Sequence, residues 1–462
     1  MKNSVFCAII VIVGKKRNMK KGSLLKLSKI FVWIYMILTF IGVFLPDEFV
    51  IGIVKLDYRL DPFQMLMRWF NFVAFLTLPV AAYFNKPTFK KISVYFSIPV
   101  VIILMFMFKD ILPGYMSENG TGIVDIRFLP DFVVKFLHNG VFRGIFFFAT
   151  CLSQIAATVC IALQDLNDLK FKKEDVKNFF IILPLLIISI VPIYAIEGIL
   201  DHQSNIEFKF FSLSHIAWMI LIVLQILVLY RIFKDKSKDD KFILILILSL
   251  SLLVQYNQLF CSMGELTCKR MPLQLCNLAS YLIIIALLKN NRTIFIFNLL
   301  VNVIGAIIAV IILDADNTCI LSKGNIHYIV EHNNVVVIPF LMLLLGVFEP
   351  VKKHEFKVFF KWFTIYFIII FILGTTFNAI YTATDNNYFK CNYLFMFDAE
   401  KARKLISFSK YLFDVKITIG PVTLYPLIQA VIYLVFTGLG YLSFLFFRKA
   451  IKEKEVQTVS EK

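Results

Sequence analysis

The stretch Thr293-Ile-Phe-Ile-Phe-Asn-Leu-Leu-Val-Asn-Val-Ile-Gly-Ala-Ile-Ile-Ala-Val-Ile-Ile-Leu313 contains no charged residue. An α-helix needs about 20 apolar residues to cross a bilayer, and this run has that length. The segment must be helical, because lipid offers no partner for free backbone N–H and C=O groups. The whole chain agrees with this reading, since 59% of its residues are hydrophobic and 50 of 462 are phenylalanine. We therefore predict an all-α polytopic membrane protein.

Further apolar runs of similar length occur along the chain, and we count about twelve candidate spans. They lie near 29–46, 68–84, 91–108, 140–163, 179–198, 209–230, 242–261, 272–288, 293–313, 332–348, 359–381 and 421–447. None of the predicted spans carries Asp or Glu in its middle. The polar residues that they bury are uncharged.

The net charge of +17 indicates how the chain crosses the membrane. If both termini are cytoplasmic and the loops alternate, nearly all the basic excess falls on the inner side, as the positive-inside rule requires. The charge therefore indicates contact with anionic lipid, and we expect no nucleic-acid partner. Usage rich in Lys, Asn, Ile and Phe suggests the cytoplasmic membrane of a low-GC bacterium. The first residues do not resemble a secretory signal, and Met19 is a more natural start.

The sequence contains an apparent internal repeat, in which residues near 29–231 align with residues near 241–447. The landmarks occur in the same order, although identity is low. They are Pro62-Phe-Gln64-Met-Leu66 against Pro272-Leu-Gln274-Leu-Cys276, and His138-Asn139 against His332-Asn333. Six spans in each half would enter the membrane in the same direction, which is a parallel duplication. We predict a degenerate N-terminal repeat over 1–207 and a membrane core with a cytoplasmic tail over 208–462.

Three reactive side chains from the second half are expected at the outer ends of their helices. His215 opens the sixth span, Cys276 lies in the first turn of the eighth, and His332 opens the tenth. Pro272 suits the first helical position, which would leave Cys276 at the positive end of the helix dipole. A nearby histidine could then activate the thiol as a nucleophile. Alternatively Cys276 is only a small buried apolar residue, and His332 is only a helix-end side chain bonded to a loop. The two other histidines of this half, His327 and His354, look like loop residues.

Several short motifs together resemble the YwaF-type bacterial integral membrane proteins, over about residues 208–447. These motifs are Ser214-His215, Met271-Pro-Leu-Gln274-Leu-Cys276-Asn277, His332 with Pro339, and Asn392-Tyr393-Leu-Phe-Met. The family has seven spans and is distantly similar to an animal acyltransferase that makes ether-linked phosphatidylethanolamine through an acyl-cysteine intermediate. Its members tend to have a histidine two residues before the cysteine, where this chain has Gln274.

The resemblance implies a phospholipid acyltransferase or transacylase at the outer leaflet, with membrane phospholipids as its partners. Cys276 would be the nucleophile and His332 the base, while His215, Gln274, Asn277 and Asn392 would bind the substrate. Two alternatives stay open: a transporter built from two parallel repeats, and a structural membrane protein without catalytic activity.

We expect no cofactor and no metal, because the chain lacks CxxC pairs and His-rich tracts. Cysteines in or near the predicted outer loops could form a disulfide or remain free thiols. These are Cys261, Cys268, Cys319 and Cys391.

Overall fold

The computed structural model describes residues 21–44, 62–107, 140–191, 206–262, 268, 271–313, 319–398 and 409–460. The chain forms two compact units, the first comprising residues 1–120 and 130–189 and the second residues 121–129 and 190–462. In the described residues, eight helices are long and apolar enough to cross a membrane. The protein is therefore a multi-pass helical membrane protein, as predicted. The predicted number of twelve spans is not reproduced.

The described part of the first unit is a bundle of five helices. They are α1 Lys21–Phe44, α2 Pro62–Phe84, α3 Pro87–Phe106, α4 Gly140–Gln164 and α5 Lys173–Ser189. α1 packs along α4, and α2 packs against α3, α4 and α5. Of these five, α1, α3 and α4 contain candidate spans, whereas the apolar part of α2 is shorter.

Polar contacts join the helices of the first unit at one end of the bundle. Lys90 and Lys91 are both buried, and each lysine has one carboxylate partner. Lys90 Nζ lies 2.7 Å from Asp168, and Lys91 Nζ lies 2.6 Å from Asp175. Burying a cation is unfavourable unless it is paired, so these ion pairs fix α3 against the segment that follows α4.

Where the structure describes it, the second unit contains eight further helices and one small sheet. The helices are α6 Leu213–Phe233, α7 Lys238–Ser262, α8 Leu275–Leu288, α9 Arg292–Ile311, α10 Lys323–Leu344, α11 Glu355–Thr384, α12 Ser409–Asp414 and α13 Pro426–Ser460. α10 is central, since it packs against α6, α7, α8 and α9. α11 packs against α9 and against α13.

A two-stranded antiparallel sheet departs from the all-α prediction. β1 Ile417–Ile419 pairs with β2 Val422–Leu424, and the turn between them contains Gly420 with a φ of +57°. Glycine adopts this left-handed conformation without the strain of a Cβ atom. The hairpin leads directly into α13.

Each unit contains one helix with the same internal division. α3 consists of an α-helical part Pro87–Ile92, a π-helical turn Ser93–Ser97 and a second α-helical part Ile98–Phe106. α9 consists of Arg292–Phe297, a π-helical turn Asn298–Asn302 and Val303–Ile311. The parts have 6, 5 and 9 residues in both helices. A left-handed asparagine stands two residues before each helix, Asn85 in the first unit and Asn290 in the second.

Some predictions fall outside the residues that the structure describes. These are the start at Met19, the histidine landmark at 138, and the side chains at 64 and 261. The predicted cytoplasmic tail is helical over its described part, because α13 continues to Ser460.

Candidate functional site

Cys276 occupies the first turn of α8, as predicted. The helix begins at Leu275, and its first backbone bond joins the Leu278 N–H to the Gln274 carbonyl at 2.9 Å. Pro272 is therefore not the first helical residue, and that expectation was wrong. The Cys276 side chain is half-buried. Helices leave their first N–H groups without intrahelical partners, so the thiol lies at a position that favours negative charge.

Two polar side chains from other helices lie close to this thiol. The Glu331 carboxylate of α10 and the Tyr366 phenol of α11 are both near enough to interact with Cys276 electrostatically. Tyr366 is buried, and its hydroxyl donates to the Leu273 carbonyl at 2.7 Å. Three helices, α8, α10 and α11, therefore contribute polar groups to one buried position.

Glu331 was missed by the sequence analysis, and so was its partner His327. Both residues lie inside α10, so the interpretation of His327 as a loop residue was wrong. Glu331 is only 5% exposed, and its Oε2 lies 3.1 Å from His327 Nε2 one helical turn earlier. Within the described part of the chain its other oxygen, Oε1, has no hydrogen-bond partner. The expectation that no span carries a buried carboxyl group is also wrong.

His332 follows Glu331 on α10 and has a defined hydrogen-bonding state. Its Nδ1 lies 2.7 Å from the Tyr328 carbonyl, which can only accept, so Nδ1 carries the proton. The other nitrogen, Nε2, then presents a lone pair, which is the form that acts as a base. Glu331 interacts electrostatically with His332 as well as with Cys276. His332 does not open its span, because α10 starts nine residues earlier at Lys323.

His215 is fully buried, and both of its ring nitrogens are bonded to backbone groups. Nδ1 accepts from the Phe211 N–H at 3.1 Å, and Nε2 donates to the Val310 carbonyl at 2.7 Å. The rings of Trp218 and Tyr328 stand between His215 and His332, since each of these four rings contacts the next. His215 therefore ties the start of α6 to the end of α9. The structure does not bring it into contact with the other predicted site residues.

Gln274 and Asn392 hold a loop against the start of α8. Gln274 Nε2 donates to the Asn392 carbonyl at 3.2 Å, and its Oε1 accepts from the Leu394 N–H at 3.2 Å. Asn392 Oδ1 accepts from the N–H groups of Phe397 at 2.9 Å and Asp398 at 3.1 Å. The loop is tightly turned, with a left-handed φ of 52° at Leu394. Both amides hold this loop in place at the start of α8.

Asn277 lies next to the thiol in the same turn of α8. Its side chain is partly exposed, and its carbonyl accepts from the Ser280 hydroxyl at 2.7 Å.

Two of the described loop cysteines, Cys268 and Cys391, are free thiols. Burial raises the pKa of Cys391 to about 12, so its thiol is protonated at neutral pH. The Asn378 amide donates to its sulfur at 3.4 Å. In the residues that the structure covers, His, Cys, Asp and Glu side chains form no group of three able to hold a metal ion.

Comparison with known families gives a match to the second unit. The model of the TMEM164 family, a family of membrane proteins, matches residues 210–441. The chain belongs to the TMEM164 family. The matched residues include α6 to α11, and therefore every site residue described above. They lie close to the range of 208–447 over which YwaF-type motifs were expected, whereas the YwaF-type assignment itself stays a prediction. No curated protein and no solved structure matches the chain.

Proposed function

We propose that this TMEM164-family protein is a phospholipid acyltransferase or transacylase that uses Cys276 as its nucleophile. The observation that supports the proposal is the cluster of Cys276, Glu331 and His332. A thiol at a helix start interacts electrostatically with a buried carboxyl group, and the same carboxyl group interacts with a histidine that has an available lone pair. A nucleophile, a base and a charged group that orients them are the parts that acyl transfer requires.

The reaction proceeds in two balanced steps. His332 Nε2 takes the thiol proton while the Cys276 sulfur attacks an ester carbonyl of a phospholipid. The ester C–O bond breaks, the lysophospholipid oxygen takes the proton from His332, and a thioester remains on Cys276. A hydroxyl or amine of a second lipid then attacks the thioester and gives its proton to His332. The C–S bond breaks, and the Cys276 thiolate that leaves takes this proton back from His332.

Glu331 affects the charge balance of this cluster. A thiolate at Cys276 and a carboxylate at Glu331 would repel each other in a site with little water. A proton on His332 or on His327, which lies 3.1 Å from the carboxylate, offsets this repulsion. We therefore propose that the Cys276 thiolate forms only when an imidazolium forms with it. This requirement keeps the thiol unreactive until substrate is present.

The substrates are membrane phospholipids of the outer leaflet, under the proposed orientation with cytoplasmic termini. Acyl chains can enter sideways between helices, and lipid keeps water away from the thioester. Gln274 and Asn392 position the loop beside the thiol, and Asn277 is the partly exposed polar side chain closest in sequence to it. The bacterial cytoplasmic membrane is the proposed location.

The test uses an alkyne-tagged diacyl phospholipid added to membranes that contain the full chain. The wild type should acquire a tag that hydroxylamine removes, and the Cys276→Ala variant should not. Cys160→Ala is a matched control, because Cys160 is also a free, partly buried cysteine in a membrane helix. His332→Ala should slow labelling about 100-fold or more, as expected for loss of a general base. Equal labelling of wild type and Cys276→Ala would refute the proposal and leave a structural role for the cluster.

One observation favours transport as a second candidate function. The Glu331–His327 pair is a buried, ionisable pair inside a membrane helix, which is typical of proton-coupled carriers. A transporter should keep its uptake activity in vesicles when Cys276 is replaced by Ala, and should lose it in Glu331→Gln. An acyltransferase should lose its activity in the first variant.

The two units are proposed to be diverged copies. The equal division of α3 and α9 supports this, as do the asparagines before them. α1 packs on α4 as α7 packs on α10, and α2 packs on α3 as α8 packs on α9. These pairs relate α1–α4 to α7–α10. In the predicted alignment the first copy has Leu66 in place of Cys276, so it would be a non-catalytic scaffold.

A further inference from the structure

A groove of about 350 Å³ lies between α11 and α13 of the second unit. Its lining is apolar and aromatic apart from one amide and two hydroxyls: Thr364, Phe367, Ile368, Phe371, Gln429, Ala430 and Tyr433. Its size falls within the range of small-molecule sites. Neither lysine, arginine, aspartate nor glutamate lines it, so it offers nothing to a charged headgroup.

The groove contains a buried hydrogen-bond donor without a partner. Gln429 is 6% exposed, and in the described part of the chain its Nε2 has no acceptor. The two hydroxyls that line the groove, by contrast, have hydrogen-bond partners. Thr364 donates to the Phe360 carbonyl at 2.8 Å, so the 2.7 Å contact between Thr364 and Tyr433 is a bond donated by Tyr433. An amide N–H in a membrane helix is costly to leave unpaired, and lipid tails cannot pair it.

The groove is distinct from the Cys276 site, because the two lie on opposite sides of α11. Tyr366 faces Cys276, whereas Thr364 and Ile368 line the groove. A separation of two residues corresponds to about 200° around an α-helix. α11 therefore stands between the two sites, and a ligand in the groove does not touch the thiol.

We propose that this groove binds one acyl chain of a glycerolipid, with the ester carbonyl of that chain accepting from Gln429 Nε2. The hydrocarbon packs on Phe367, Ile368 and Phe371. The lining requires an uncharged acceptor attached to a long apolar group, and an acyl ester provides both. The inference does not depend on the proposed acyl transfer, since the lipid in this groove is bound and not consumed.

The experiment compares two photoreactive phosphatidylcholines that carry a diazirine in one chain. One has ester-linked chains, and the other has ether-linked chains without a carbonyl. The full-length protein is irradiated with each probe in liposomes, and labelled peptides are identified by mass spectrometry. We expect the ester probe to label residues 364–371 or 429–433 at least fivefold more than the ether probe. Gln429→Leu should reduce labelling by the ester probe to the ether level, because it removes the donor and keeps a similar volume.

Further variants separate this site from its alternatives. Ala430→Phe fills the groove and should abolish labelling by both probes, whereas Cys276→Ala should leave the labelling unchanged. Gln154→Leu is the matched control for a buried glutamine, because Gln154 is fully buried in the first unit and donates to Asn71 at 2.8 Å. Equal labelling by the two probes in the wild type would overturn the proposal. So would cross-linking between two copies through Ala430→Cys, since the groove would then be covered by a second chain.

Discussion

Replacement of Gly440 by alanine should destabilise the contact between α11 and α13. A Cβ atom at this position would lie 2.1 Å from Cζ of Phe359, far inside contact distance. Phe359 is 1% exposed, and its ring is stacked parallel to that of Phe363 with 6.0 Å between centroids. Phe356 packs beside it at 5.6 Å. These neighbouring rings limit how far the Phe359 ring can move.

The same helix provides a control at Gly438, where an added Cβ meets no atom within 4 Å. Glycine to alanine gains about 1 kcal/mol of helix propensity at either position. Overpacking costs about 1–3 kcal/mol, and it applies only at Gly440. The gain in helix propensity is the same in the two variants. The free energy of unfolding of Gly440→Ala should therefore be about 1–3 kcal/mol lower than that of Gly438→Ala.

The measurement is reversible unfolding of the purified protein in mixed micelles with increasing SDS, followed by circular dichroism. The two alanine variants are compared with each other and with the wild type. If Gly440→Ala matches Gly438→Ala in unfolding free energy, the close approach of α13 to Phe359 is wrong. A further replacement, Phe359→Leu, should recover part of the loss in Gly440→Ala, because it shortens the obstructing side chain.

Three other predictions concern polar groups outside the thiol cluster. Asp175→Asn should cost about 2–3 kcal/mol, because it leaves Lys91 buried without a counter-charge. The hydrogen bond from Lys91 lowers the pKa of Asp175 below 3.8. The stabilisation by this ion pair is therefore present above pH 3.8 and is lost as the pH falls through the lowered pKa. Identical unfolding curves for the wild type and Asp175→Asn at pH 7 would contradict this prediction. His215→Ala should lower the free energy of unfolding in SDS by about 2–4 kcal/mol, because it leaves a cavity and leaves the Val310 carbonyl without its donor. An unchanged stability with weakened lipid labelling would instead indicate that His215 binds a headgroup. Cys391 should resist maleimide at pH 8 until the protein is unfolded, since its pKa of about 12 keeps the thiol protonated, and mass spectrometry of the labelled peptides measures this.

The membrane class and the first-turn position of Cys276 were predictable, because both depend on local composition. The number of spans was not. The apolar part of α2 and the whole of α8 are shorter than a full span, and hydropathy alone cannot show where such a helix ends. The predicted span 179–198 extends past the described residues, which end at 191 there, so its last part stays a prediction.

The site was only half predictable, because the start of α10 was placed too late. The polar residues before His332 suggested a loop, so His327 and Glu331 were excluded from the membrane helix. A local signal was present: Ser322 is the N-cap, and its hydroxyl accepts from the Asn325 N–H. His327 and Glu331 are also four residues apart, the spacing at which side chains meet on one helix face. The electrostatic interaction between Glu331 and Cys276 depends on the packing of α10 against α8, and no local pattern encodes it.

Gln274 was the main departure from the motif that carried the resemblance, where a histidine is usual two residues before the cysteine. The structure gives a physical reason why glutamine can replace it. Gln274 uses one donor and one acceptor, toward the Asn392 carbonyl and the Leu394 N–H. A neutral histidine also has one donor and one acceptor nitrogen, and so it can bridge the same two backbone groups. If this position serves to hold the loop beside Cys276, the replacement preserves its role, and the departure does not argue against chemistry at the thiol.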